Sequence, residues 1–223
     1  MLLYYITDRQ QFAGGDNERR ATLLRRIAQA ASVGADYVQL REKDLSAREL
    51  ERLAREAVRA VQENSQVTRL LINSRTDVAI ACGADGVHLP SGELPASEVR
   101  ALWMKCCHRE PLIGVSAHSV ADVRSAQSHG ADFALLGPIF EKAGTSAKPV
   151  GLVTLQSCCS DLPRPERVEA PLSSYFGVLA LGGVNLANAA LCIRAGAAGV
   201  AGIRLFQTGD IAETVGRLRG IPE

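Results

Sequence analysis

The chain has 223 residues, 47% hydrophobic and 22% charged, enough to bury a substantial core as one large α/β domain or two small ones. Its net charge of +1 argues against a basic face for nucleic acid, and 4% aromatic residues leave little for base stacking. No apolar run approaches the roughly 20 residues of a membrane helix, and the N-terminus has no basic leader, so a cytoplasmic protein with neither nucleic-acid nor membrane partner is expected.

In chain order, Leu2–Ile6 reads as a first strand, and polar Thr7 and Asp8 follow it. Residues 17–32 have helical spacing. Residues 36–40 form a second apolar run that leads into Gln39, Arg41 and Lys43, spaced by two and so projecting to one side of an extended chain. A carboxamide, a guanidinium and an ammonium together suit a phosphate or diphosphate. The plain alternative is a strand that surfaces into solvated charges, with Glu42 and Asp44 balancing Arg41 and Lys43.

Residues 46–63 place Leu50, Leu53, Ala54, Ala57, Val58 and Val61 on one helical face. A third strand over 70–73 ends at Asn73, Ser74 and Arg75. A fourth over Gly86–Leu89 carries His88 and runs into Pro90-Ser91-Gly92-Glu93. After a helix over 97–107, a fifth strand over 112–115 ends at Ser116, His118 and Ser119, and residues 119–130 are helical again. The sixth strand, Phe133–Leu136, opens through Gly137 to Phe140 into a polar loop with Lys142, Thr145, Ser146 and Lys148. Prolines 163, 165 and 171 mark 161–174 as a surface insertion. The seventh strand, Gly177–Leu181, turns at Gly182-Gly183, and the eighth, over 199–203, carries Gly202 before Arg204.

The phrase Gly-Ala-Asp recurs at 34–36, 83–85 and 130–132, with Gly-Ala-Ala at 196–198. Each glycine suits a helix C′ position, and each phrase leads into the next strand. The repeats predict one βα series over residues 1–223, a single (β/α)8 TIM barrel, with a doubly wound open sheet as the alternative. No Gly-x-Gly-x-x-Gly follows the first strand to support that alternative. In a barrel, chemistry belongs at the C-terminal strand ends, and phosphate commonly binds after strands seven and eight. Gly182 and Gly183, at a strand-to-helix turn, would let backbone N–H groups approach a phosphate there, with Gly202 beside them. The six cysteines lack C-x-x-C spacing, so they read as reduced thiols and suggest neither zinc nor redox chemistry.

Seven segments in register then carry a resemblance over nearly the whole chain: Tyr5 to Asp8, Val38 to Lys43, Ile72-Asn73, Gly83 to Leu89, Gly114 to Ser119, Leu136 to Phe140 and Leu179 to Val184. Together they resemble the thiamine phosphate synthase/TenI family. The resemblance implies a (β/α)8 barrel, usually a homodimer. It implies an enzyme that joins hydroxymethylpyrimidine diphosphate to a thiazole phosphate with Mg2+ assistance, releasing diphosphate. It makes Gln39, Arg41, Lys43 and Asn73 diphosphate contacts, places Ser116 near the pyrimidine and diphosphate, and gives Gly183 the thiazole phosphate through its backbone.

Departures from the family pattern are as informative. Ser74 stands where an Mg2+-binding Asp is usual, which leaves Glu93 as the candidate metal carboxylate. Thr145 and Lys142 or Lys148 are candidates for the Thr and Lys of the loop after strand six, and Ala201 replaces a common serine, with Arg204 as a substitute phosphate partner. His118 lies where the TenI branch has a histidine proposed for proton transfer, and an imidazole can exchange protons near neutral pH without a metal. His88, ending an apolar strand, reads as a satisfied core group. The expected function is thus a thiamine phosphate synthase. The alternatives are a metal-independent, TenI-like thiazole tautomerase and a non-catalytic thiazole-phosphate-binding protein.

Overall fold

The structure, a computed structural model, describes residues 1–141, 148–160, 162 and 176–222. Eight parallel strands close in chain order: β1 (Leu2–Ile6), β2 (Tyr37–Leu40), β3 (Arg69–Asn73), β4 (Gly86–Leu89), β5 (Leu112–Ala117), β6 (Phe133–Leu136), β7 (Gly177–Leu181) and β8 (Gly199–Gly202), which returns to β1. The predicted barrel is therefore the observed one. Helices between the strands wrap the outside: α1 (Asp16–Ser32), α2 (Ala47–Gln62), α3 (Thr76–Cys82), α4 (Ala96–Cys107), α5 (Val120–Ser128), α6 (Gly151–Cys159) and α7 (Ala189–Arg194). After β8 come a four-residue α8 (Arg204–Gln207) and α9 (Ile211–Arg219). The expected insertion over 161–174 lies, except for Leu162, outside the described residues.

The period of two along each strand sorts side chains into two cores. On β1, Leu3 and Tyr5 pack outward under the helices, whereas Tyr4 and Ile6 point into the barrel with Tyr37, Leu71, Phe133, Leu135, Leu179 and Ala201. Tyr37 and Phe133 stack across the interior with ring centroids 5.4 Å apart, and Tyr4 meets both rings edge-on. Gly114 makes that filling possible, because a Cβ there would lie 2.3 Å from the Phe133 ring.

The repeated phrase has a second physical role. Its glycines at 34, 83, 130 and 196 all adopt positive φ, as the helix C-terminal positions require. Its carboxylates then hold the neighbouring strand: Asp36 accepts from the Leu3 amide at 2.7 Å, Asp85 from Leu70 at 2.9 Å and Asp132 from Ile113 at 2.6 Å. The backbone oxygens at this position take the first amide of the next strand around the barrel, Asp36 from Arg69 at 2.9 Å, Asp85 from Leu112 at 3.0 Å and Ala198 from Leu2 at 2.9 Å, so the fourth copy keeps this bond without a carboxylate. Register is thereby pinned at the N-terminal rim, and the opposite rim is free for chemistry.

Candidate active site

The C-terminal strand ends open into a cleft of about 920 Å³. Its floor is Ile6, Leu135, Leu181 and Ala201, and its walls include Gln39, Arg41, Asn73, His88, Ser116 and His118 on one side and Gly182, Gly183, Gly202 and Arg204 on the other. Those ten wall residues come from six different strands and their loops. Lys43 and Lys148 are exposed and do not line the cleft, and Thr145, Lys142 and Ser146 lie outside the described residues.

Arg41 and Lys43 do not share a face as their spacing suggests. The strand ends at Leu40, Lys43 and Asp44 form a turn, and only Gln39 and Arg41 reach the cleft wall. Gln39 donates through Nε2 to the Tyr4 hydroxyl at 3.0 Å. Burial holds the Tyr4 phenol far above its ordinary pKa, so it remains protonated.

The plain alternative, in which Glu42 and Asp44 balance Arg41 and Lys43, does not describe the structure. Both carboxylates turn to Arg9, whose Nη1 lies 3.1 Å from Glu42 and 2.6 Å from Asp44. Among the described residues the side chains of Arg41 and Lys43 have no hydrogen bond or ion pair. Burial pushes the Glu42 carboxyl upward against its bonds to Thr7 and Arg9, whereas the Arg9 guanidinium holds Asp44 down at about 2.

His88 is buried, and its Nε2 lies 2.9 Å from Ser116 Oγ. Its Nδ1 has no partner, so the expectation of a satisfied histidine holds for one nitrogen only. An unpaired buried acceptor is tolerated better than an unpaired N–H. The Nε2–H tautomer therefore donates to Ser116, and the serine keeps its own proton to offer to a ligand. Burial, with the Arg41 charge nearby, pushes His88 down to about 3. Between pH 6.5 and about 3 the unfolded chain binds a proton that the folded one refuses, so stability is lost as pH falls through that window. The expected loss is roughly 2 kcal/mol at pH 5 relative to pH 7. Asp44 titrates lower and does not contribute there. Thermal melts of the wild type and His88→Asn at both pH values check this, and equal losses in the two proteins would refute it.

His118 is held by its ring: Nδ1 lies 2.7 Å from the Gly137 carbonyl, to which it donates, so Nε2 is the nitrogen left with a lone pair. Ser74 and Glu93 meet, with the serine hydroxyl donating to the carboxylate at 3.0 and 3.3 Å. They sit beside the cleft and do not form its lining, which Asn73 does. Among the described residues no three His, Cys, Asp or Glu side chains cluster as a metal site. Mg2+ usually keeps several waters and takes one or two carboxylates plus substrate phosphates, so the hard oxygens of Glu93, Ser74 and Asn73 fit a metal brought in with a diphosphate.

Gly182 and Gly183 both have positive φ, 90° and 68°. The helix expected directly after them begins only at Ala189, following a turn built by Asn185 and Asn188, so no helix N-terminus sits at this point. Instead, the amides of Gly183 and Val184, and those of Arg204 and Leu205 after β8, have no hydrogen bond among the described residues. All four residues line the cleft. Gln11, Glu141, Ile203 and the α9 residues Glu213 and Arg217 also line it; Gln11, Glu141, Glu213 and Arg217 come from loops and a helix with no local motif, whereas Ile203 sits between Gly202 and Arg204 at the end of the eighth strand.

A parallel eight-stranded barrel with an arginine on each side of the cleft and free backbone amides at its C-terminal mouth has the features of a phosphate-handling (β/α)8 barrel. Comparison with known proteins narrows the class. The family described as thiamine monophosphate synthase matches residues 3–206. A relative from Aquifex aeolicus is 40% identical over 205 residues, 92% of this chain and 96% of its own. Thiamine-phosphate synthase of Roseiflexus sp. is 37% identical over 205 residues, 90% of this chain and 75% of that protein. The solved thiamine phosphate pyrophosphorylase of Pyrococcus furiosus superposes with a TM-score of 0.76 at 25% identity, covering 99% of this chain and 94% of the other. The chain belongs to the thiamine monophosphate synthase family.

Proposed function

We propose that this protein is a thiamine phosphate synthase acting on a hydroxymethylpyrimidine diphosphate and a thiazole phosphate. The observation that carries this reading is one cleft with two different anion-binding ends. Arg41, with Gln39 and Ser116, stands at one end, and the free amides of Gly183, Val184, Arg204 and Leu205 stand at the other. A reaction between a diphosphate and a phosphate ester needs both.

In the reaction a C–N bond forms between the pyrimidine methylene and the thiazole nitrogen while the C–O bond to diphosphate breaks. Positive charge develops on the pyrimidine and then rests on the thiazolium, and no proton has to leave the reacting atoms. Arg41 holds the departing oxygens by charge, and the Ser116 hydroxyl donates to the same group. His88 stays neutral and orients that serine. The backbone at Gly183 holds the thiazole phosphate so that its nitrogen lies in line with the methylene. Glu93, with the oxygens of Ser74 and Asn73, would hold Mg2+, which neutralises charge on the diphosphate when bound. The same reading includes a homodimer in the cytoplasm.

The test is turnover by the purified protein with both precursors, with and without Mg2+, following thiamine phosphate. Metal-dependent product is expected. Isomerisation of a thiazole phosphate alone, without metal, would favour instead the tautomerase reading, which rests on the anchored His118. Binding of the thiazole phosphate without turnover of either kind would leave a binding protein.

Ser74→Asp should raise Mg2+ affinity in the presence of diphosphate by about tenfold, because ligand charge tunes affinity for hard cations. Ser74 has φ 63°, a region where Asp is comparatively well accommodated, so the fold should not suffer. Calorimetric titration of Mg2+ into the diphosphate complex measures it, and an unchanged affinity would place the metal elsewhere.

A further inference from the structure

Four charges alternate directly after β2: Arg41, Glu42, Lys43 and Asp44. In such a run each cation has an acid beside it, and a local ion pair would compete with any anionic ligand. The fold prevents this with a residue from the short 3-10 turn, Arg9–Gln11, that follows β1. Arg9 is 3% exposed and Glu42 1%, and they meet at 3.1 Å. The same guanidinium grips Asp44 with two nitrogens, Nη1 to Oδ1 at 2.6 Å and Nη2 to Oδ2 at 2.8 Å, and its Nε reaches Asp16 at 3.0 Å. Glu42 is also held by the Arg9 amide at 3.0 Å and by the Thr7 hydroxyl at 2.6 Å. Thr7 Oγ1 in turn accepts from the Arg41 amide at 2.9 Å, so the network also sets the backbone that aims Arg41.

We infer that Arg9 is a positioning residue for the diphosphate end of the cleft. It sequesters both carboxylates of the alternating run, so that Arg41 meets an anion at the cleft wall without internal competition. The inference rests on the synthase reading, which puts a diphosphate at Arg41 and gives Arg9 no part. A lysine at this position keeps the charge but cannot grip two carboxylates bidentately. In Arg9→Lys, Asp44 loses its guanidinium partner and keeps the neutral Gln10 amide at 2.9 Å, so its charge acts on the run again, while Glu42 stays paired.

The experiment is calorimetric titration of inorganic diphosphate into the full-length protein and its variants, with thermal melts alongside. Arg9→Lys is expected to bind diphosphate about tenfold more weakly, the effect of one extra nearby carboxylate. Arg9→Lys/Asp44→Asn is expected to return to within about twofold of wild type, because the released charge is gone. A network that merely staples β1 to β2 would give no such rescue. Wild-type affinity in Arg9→Lys, or a double variant as weak as the single one, overturns the inference. Asp44→Asn alone folds without stranding a buried charge, since Asp44 is about half exposed. It should leave affinity unchanged, and a marked gain would mean that Arg9 does not neutralise Asp44 in the wild type. Arg41→Ala, measured in parallel, separates the two levels. If it binds diphosphate like wild type, the synthase reading of this end fails and the inference falls with it. If it loses binding while Arg9→Lys does not, only the inference fails.

Discussion

Arg41→Ala is expected to weaken diphosphate binding by about 10²-fold and to lower turnover at least as much, with thiazole-phosphate binding changed by less than about twofold. The size follows from the loss of a guanidinium that can give paired, charge-assisted hydrogen bonds to a departing anion, each worth about 1.5–3 kcal/mol. Among the described residues no other cation stands on that wall: Lys43 is turned out to solvent and Arg9 is buried among carboxylates. The fold should be unaffected, since the Arg41 side chain makes no bond within the described residues. Calorimetry with diphosphate and with the thiazole phosphate, plus steady-state kinetics, reads the three quantities. Equal losses for both ligands would mean that Arg41 serves the cleft as a whole.

Gly183→Ala should give the complementary pattern: about 10²-fold weaker binding of the thiazole phosphate, and diphosphate binding nearly intact. Gly183 has φ 68°, which costs an L-residue about 1–2 kcal/mol. Its new Cβ would lie 2.7 Å from Phe140 Cβ and the Glu141 carbonyl oxygen, and 2.9 Å from the Phe140 carbonyl oxygen. The turn must therefore move, carrying the free amides of Gly183 and Val184 out of place. Two charge-assisted backbone bonds to a phosphate account for the predicted size. The same two-ligand titration checks it. Retained thiazole-phosphate affinity in a variant that melts lower would show that this turn has a purely structural role. Taken with Arg41→Ala, the two variants assign the two ends of the cleft independently.

Much of the candidate site was legible because barrel chemistry concentrates at strand ends, and strand ends are visible in a single sequence. Gln39, Arg41, Asn73, Ser116, His118, Gly182, Gly183, Gly202 and Arg204 all line the cleft. Lys43 does not, because the strand stops at Leu40 and the period of two no longer applies beyond it. Lys148 does not either, since its position depends on a long polar loop with no regular spacing. His88 was recognisable as a buried strand residue, but its contact with Ser116 spans two strands 28 residues apart and leaves no local trace. Arg9 was invisible for a similar reason: nothing in Thr7-Asp8-Arg9 says that the charge will turn inward to Glu42 and Asp44.

By itself, then, the sequence determined the architecture and which residues could reach the mouth of the barrel. Apolar runs with a period of two, helical faces and glycines at helix ends are local requirements, and a local requirement is written in local sequence. Only the tertiary structure decided how the charges are partnered. An ion pair forms with whichever opposite charge the fold brings near under burial, and adjacency in the chain does not settle it. Arg41 is followed by Glu42 in the chain, yet Glu42 is held by Arg9, 33 residues away. That arrangement leaves Arg41 on the wall of the cleft without a carboxylate partner among the described residues.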